Sequence, residues 1–162
     1  KISINDLGFL IGPILNAGGR LGKSTDATEL LSTSNSKIID DKSVKLIQLN
    51  EKRKKIELSI LDTIDFKQIE INNEHIIVFY NPNINEGLIG IVASRLKDYF
   101  DKPSIVITNS NNLLKGSARS ISSYNFGKAI KRALNSNIIL NGGGHNMEAG
   151  FTLKKKNLNS FR

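Results

Sequence analysis

From Ile38 to Ile64 the chain contains neither glycine nor proline, whereas everything after Asn72 switches repeatedly between strand-length apolar runs and helical periodicity. That contrast limits the fold more than any other feature. Leu46, Leu49, Ile56, Ile60 and Ile64 fall near helical spacing, which predicts one long amphipathic helix. Its Lys52-Arg53-Lys54-Lys55 run is expected to form a solvated face. A helix with so narrow an apolar side suits a connector between two bodies.

Downstream, the run from His75 to Tyr80 predicts a buried strand and Glu86 to Phe100 a helix. Pro103 to Thr108 and Leu113 to Ser120 predict two further strands, with Asn109 to Asn112 as the turn between them. Asn125 to Asn135 reads as a basic helix, Ile138 to Leu140 as a short strand and Ala149 to Leu153 as a last strand. Strands alternating with helices in this way predict an α/β domain with a mixed sheet flanked by helices. Upstream, Gly8, Gly12, Gly18, Gly19 and Gly22 surround Pro13 and read as loop and turn. A short helix over 26–32 follows, with Ser24 or Thr25 as its N-cap. The division expected is 1–37, a glycine loop and short helix; 38–70, the connecting helix; and 71–162, the α/β domain.

Composition excludes several classes of function. The chain has no cysteine, so it can form neither a disulfide framework nor a thiolate metal site. That absence fits a reducing compartment and hence a cytoplasmic protein. Its apolar runs are too short to span a membrane. It neither begins with Met nor shows a secretory layout, and we expect it to be a piece of a longer protein. A formal net charge of +8 favours an anionic partner. With only 6% aromatic residues, a partner nucleic acid would be held by its phosphates rather than by stacked bases.

Three blocks place permissive backbone beside a side chain able to meet a phosphate. In Gly142-Gly143-Gly144-His145, consecutive glycines admit positive φ and let N–H groups approach a ligand, and His145 can donate a hydrogen bond or a proton. In Gly116-Ser-Ala-Arg-Ser, Ser117 and Arg119 are two apart, so in a strand they share a face, a hydroxyl beside a bidentate fork. In Gly12-Pro-Ile-Leu-Asn-Ala-Gly-Gly-Arg20, a glycine loop carries one guanidinium. No constellation for hydrolysis is complete, because the two histidines and the scattered acids do not form a metal-ligand cluster.

These blocks, together with Glu86-Gly-Leu-Ile-Gly-Ile-Val-Ala-Ser-Arg-Leu96 and Gly142-Gly-Gly-His-Asn-Met-Glu-Ala-Gly-Phe151, occur in an order that resembles the RecJ family of single-strand DNA exonucleases, within the DHH phosphoesterase superfamily. The resemblance covers nearly the whole chain and implies the C-terminal part of the catalytic core. Residues 1–37 would then end the DHH-side lobe, and 71–162 would be a DHHA1 nucleic-acid-binding domain. In such an enzyme a DHH domain, absent from this chain, holds two Mn²⁺ or Mg²⁺ ions, and the fragment alone is expected to be inactive. The resemblance implies 5′→3′ hydrolysis of single-stranded DNA in repair and recombination, by a monomer that works with a single-strand-binding protein and a helicase. It assigns phosphate binding to Arg20, Ser117, Arg119, Gly142, Gly143, Gly144 and His145, the last with an assisting role in catalysis, and no metal to this chain.

Two departures from the family pattern stand out. Ile84-Asn85 stands where Trp-His is common, and Glu148 stands where alanine is. Two other readings stand beside this one, a phosphodiesterase for short oligoribonucleotides or cyclic dinucleotides, and a non-catalytic nucleic-acid-binding module. The first block argues against the phosphodiesterase.

Overall fold

Helices alone make up the upstream unit of the computed structural model, which describes residues 2–162 and divides after Ser59. A π-helical turn over Asp6–Ile11 runs directly into α1 (Gly12–Arg20). Pro13 sits in the first turn of α1, where its fixed φ suits the helix. The segment expected to be loop is therefore helix up to Arg20, and close packing uses one of its glycines, Gly18. A Cβ at Gly18 would lie 2.2 Å from the carbonyl oxygen of Lys23, whose own N–H donates to the Gly18 carbonyl at 2.6 Å. Gly22, at φ +81°, then reverses the chain.

The short helix expected over 26–32 is α2 (Thr25–Ser32), with Ser24 in the N-cap position. It is followed by α3 (Ser36–Leu61). Asp26 of α2 is buried; Lys42 and Lys45 of α3 each donate to its Oδ1 at 2.8 Å. Those two ammonium donors hold its carboxyl below the ordinary value of 3.8.

Along α3 the buried stripe runs Leu46, Asn50, Arg53, Glu57, Ile60. This keeps the helical spacing expected, with Leu46 and Ile60 in it as read from sequence, but puts polar residues in place of Leu49 and Ile56. Leu49 and Ile56 are only half-buried, and Arg53, expected to be solvated, is 9% exposed. Arg53 is satisfied within the helix, donating from Nε to Asn50 Oδ1 at 3.1 Å and from Nη1 to Glu57 Oε2 at 2.6 Å. A buried guanidinium requires such partners.

The second unit, from Ile60 onward, opens with α4 (Phe66–Asn72), which the sequence reading did not separate from the connector. Asp65 caps it by accepting from the Gln68 N–H, and Asn73 in the left-handed region closes it. The stretch 38–70 thus holds two helices divided by a turn. The sheet follows: β1 (Ile77–Tyr80), α5 (Ile89–Phe100), β2 (Ser104–Ser110), β3 (Leu113–Arg119), α6 (Phe126–Asn135), β4 (Asn141–Gly144) and β5 (Glu148–Leu153), then a last turn of helix, α7 (Leu158–Phe161). The strand order is β1-β2-β3-β5-β4. β1 pairs parallel to β2 across the α5 crossover, and the remaining pairs are antiparallel. The expected α/β class with a mixed, helix-flanked sheet is what forms.

Alternation divides the sheet's side chains between two helices. Ile105, Ile107, Leu114, Ala118, Phe151 and Leu153 form a core with Phe126 and Ile130 of α6. The opposite face meets α5, whose Ile89, Val92, Ala93 and Leu96 are buried. The strand expected at 138–140 is displaced. Ile139 is instead buried in the core, and it is Asn141–Gly144 that pairs with β5. Glycine is required there by closeness, since a Cβ at Gly142 would meet Ile130, Phe151 and Ile139 at 2.9–3.0 Å.

Two stability measurements test these packings. A methyl at Gly116 would lie 2.1–2.6 Å from three atoms of the Phe151 ring. Gly116→Ala should therefore lower the urea midpoint of the second unit by the equivalent of about 1–3 kcal/mol. At Gly143 an added Cβ meets nothing within 4 Å, so Gly143→Ala should stay within about 0.5 kcal/mol of wild type. Asp26 titrates lower when folded than unfolded, so its contribution is fully present above its unfolded value and lost as pH falls through the folded one. Asp26→Asn should therefore lower the melting temperature at pH 7, with the gap from wild type closing below about pH 4.

Candidate nucleic-acid interface

The last residues of β3 carry the first part of the site. Leu114, Gly116 and Ala118 face the α6 core, so Ser117 and Arg119 are turned to the α5 side. Arg119 Nη1 donates to Ser117 Oγ at 3.2 Å and to the Ala118 carbonyl at 2.8 Å. The guanidinium lies over the first turn of α5, where the residue is Gly90. A Cβ there would sit 3.0 Å from Arg119 Nη2 and 3.1 Å from Ser117 Oγ. Glycine in a helical first turn costs helix stability, and here it leaves room for the arginine.

The second part is the turn from His145 to Glu148, closed by the His145 N–H donating to the Glu148 carbonyl at 2.7 Å. This turn is docked on the N-terminus of α6. Phe126 N–H donates to the Asn146 carbonyl at 3.1 Å and Gly127 N–H to the His145 carbonyl at 2.9 Å. Asn125, the N-cap, accepts from the Lys128 N–H at 2.9 Å and donates its amide to Asn146 Oδ1 at 2.6 Å. The otherwise orphaned first N–H groups of α6 thus hold the turn in place. Gly127 permits the approach, since a Cβ would lie 3.2 Å from the carbonyl oxygens of Gly144 and His145.

Between these parts lies an open cleft of about 790 Å³. Arg119, Lys97, Lys128 and Lys131 line it together with His145, against a single carboxylate, Glu148. Arg119 and Glu148 face each other across the β3–β5 ladder and form an ion pair at 3.2 Å. Lys97 is also paired, with Asp98 at 2.5 Å. The balance of charge in the cleft is positive, and the lysine heads of α6 are exposed to solvent.

Of the residues picked out from sequence, Ser117, Arg119, Gly144 and His145 lie at this end of the sheet. Gly142 and Gly143 stand further along β4, Gly142 serving the core and Gly143 open to solvent. Consecutive glycines admit positive φ, but here they do not use it: Gly22 is the one glycine with positive φ among the described residues. The run is a strand whose glycines allow close approach. Arg20 ends α1 in the other unit. Gly90, seen in sequence only as part of the Glu86–Leu96 block, and Gly127, Lys97, Lys128 and Lys131 join the site only in the structure. A glycine inside a helix start was the available signal for the first two, while isolated lysines give none.

The departures from the family pattern have local structural roles. Ile84 is buried, and its carbonyl accepts from Thr108 Oγ1 at 2.6 Å. Asn85 Oδ1 accepts from the Gly87 N–H at 2.8 Å, shaping the entry to α5. The neighbouring Glu86 accepts from Lys115 at 2.9 Å and Ser110 at 3.1 Å, and these bonds hold its carboxyl below the usual value. Among the described residues no group of three or more His, Cys, Asp or Glu could hold a metal ion. Nor is any described helix long and apolar enough to cross a membrane.

Comparison with known proteins supplies the family. The DHHA1 domain matches residues 73–162. The single-stranded-DNA-specific exonuclease RecJ of Haemophilus influenzae is 36% identical over 174 residues, covering 100% of this chain and 30% of that protein. RecJ of Bacillus subtilis is 34% identical over 159 residues, 96% of this chain and 20% of that protein. The chain therefore spans less than a third of the length of these relatives. The structure of Thermus thermophilus RecJ in complex with Mn²⁺ matches with a TM-score of 0.82 at 27% identity, over 96% of this chain and 23% of that one. The family match takes in all five strands and the cleft at their end, and the likeness to RecJ extends along the upstream helices: the chain belongs to the DHHA1 domain family.

Proposed function

We propose that this chain is the strand-gripping part of a metal-dependent single-stranded-DNA exonuclease that works 5′→3′. The observation that carries the reading is the gathering of Arg119, Lys97, Lys128, Lys131 and His145 around one open cleft. It is supported by the length of chain shared with proteins named single-stranded-DNA-specific exonucleases. An extended single strand presents phosphates at regular intervals, and a row of cations on a rigid sheet end can follow them without reading bases. Arg119 offers a planar fork to one phosphate, while Lys128 and Lys131 act as point charges beside it. His145, on a turn fixed by α6, can donate to a phosphate oxygen. Arg20, Gly142, Gly143 and Gly144 belong to the same proposal as further phosphate contacts.

Among the described residues no side-chain cluster fits a two-metal centre. RecJ of Thermus thermophilus has been solved with Mg²⁺ and with Mn²⁺, and in our reading the ions of this enzyme are held by a DHH domain outside the present residues. The reading places the enzyme in DNA repair and recombination in the cytoplasm. It acts there as a monomer on strands exposed by a helicase and coated by a single-strand-binding protein.

Anisotropy titration of the chain against a 5′-phosphorylated single strand and the matching duplex, across a salt series, tests the grip. Single-strand preference that weakens with salt is expected. Arg119→Ala should reduce affinity about tenfold and lower the salt slope by roughly 0.7, with His145→Ala also weakening binding. Equal, feeble binding to both nucleic acids, unmoved by either substitution, would overturn the proposal. Incubated with Mn²⁺ and labelled single strand, the chain alone should release no nucleotides; release that persists through repurification would contradict the assignment of the metal centre elsewhere.

A further inference from the structure

We infer that Glu148 is a built-in competitor for the phosphate seat at Arg119, so that a strand engages this arginine only by displacing a carboxylate. The inference rests on the reading of the cleft as a phosphate-binding surface and concerns which residue sets its affinity.

Three observations carry it. First, the guanidinium is anchored on one side only. Nη1 is engaged by Ser117 Oγ and the Ala118 carbonyl, while Nη2, the nitrogen nearest Gly90, faces Glu148 Oε2 at 3.2 Å. An anionic oxygen therefore already occupies the position beside Nη2 that an incoming phosphate oxygen needs. Second, Glu148 is held there by backbone pairing. It lies opposite Arg119 in the β3–β5 register, and its carbonyl accepts from the His145 N–H that closes the turn. Third, the carboxylate has solvent to turn into, its side chain being 59% exposed against 27% for that of Arg119. Exposed pairs of this kind are weak, whereas a phosphate brings more charge and further acceptor oxygens to the same fork. Exchange is then favourable but incomplete in its gain. Glu148 lowers the affinity of a site that Lys128, Lys131 and Lys97 would otherwise make more tenacious, which suits a surface along which a strand must keep moving.

The test compares wild type, Glu148→Gln, Glu148→Asp and Arg119→Ala with the double variant Glu148→Gln/Arg119→Ala, using a 5′-phosphorylated oligothymidylate at low salt. Glu148→Gln should bind about fivefold more tightly than wild type. The shorter Glu148→Asp keeps the charge but withdraws from Nη2, and should behave like Gln. In the Arg119→Ala background the Gln substitution should change nothing. A Glu148→Asp protein that binds like wild type, or a gain that persists without Arg119, would show a diffuse charge effect and overturn the inference. Weaker binding by Glu148→Gln would make the carboxylate a support for Arg119 and overturn it as well. If Arg119→Ala by itself leaves binding unchanged, the phosphate reading of the cleft falls, a different result from any of these.

Discussion

Strict alternation along β3, paired on both sides, is the constraint from which the cleft end of the second unit follows. With Leu114, Gly116 and Ala118 committed to the α6 core, Ser117 and Arg119 have one direction left to them. A slip of one residue in the pairing with β2 or β5 would bury the guanidinium and expose the core. The register is locked by closeness as well as by hydrogen bonds, because Gly116 lies under the Phe151 ring with no room for a methyl. The arginine's position is thus a consequence of apolar packing on the other face of the sheet.

The electrostatics of the cleft depend on how that frame uses its polar groups. A helix N-terminus is an obvious place for an anion, yet at α6 the first N–H groups are taken by the carbonyls of His145 and Asn146. The positive potential of this region therefore comes from side chains, and the helix end serves instead to fix the turn that presents His145 and Glu148. At α5 the contribution of the first turn to Arg119 is the space of a missing side chain at Gly90. Two glycines far apart in sequence, Gly90 and Gly127, play the same part by letting a functional segment lie directly on a helix.

Much of this was legible in the chain itself. The apolar runs of β2 and β3 and the basic helix α6 declared themselves through period and composition. The shared face of Ser117 and Arg119 followed from their spacing alone. Less legible were elements whose reason lies in a partner. The glycines around Pro13 looked like loop because glycine disfavours helix in isolation, yet Gly18 is helical because Lys23 folds back against it. Ile138 to Leu140 looked like a strand because the residues are β-formers, but Ile139 turns into the core and the glycines after it take the edge. Arg53 looked solvated because it sits in a basic run, whereas the helix pairs it with Asn50 and Glu57 in a buried stripe.

The amino-acid order by itself determined the α/β class, the basic character of the chain, and the identity of the short motifs that carry the family likeness. These depend on local periodicity and composition, which a single chain displays directly. Only the tertiary structure decided that the glycine run is a strand, that the His145 turn is seated on α6, and that lysines from α5 and α6 join Arg119 around one cleft. It also set Glu148 across from Arg119. Each of these is a contact between residues distant in sequence, fixed by steric room and strand register, and neither quantity is written in any local stretch of the chain.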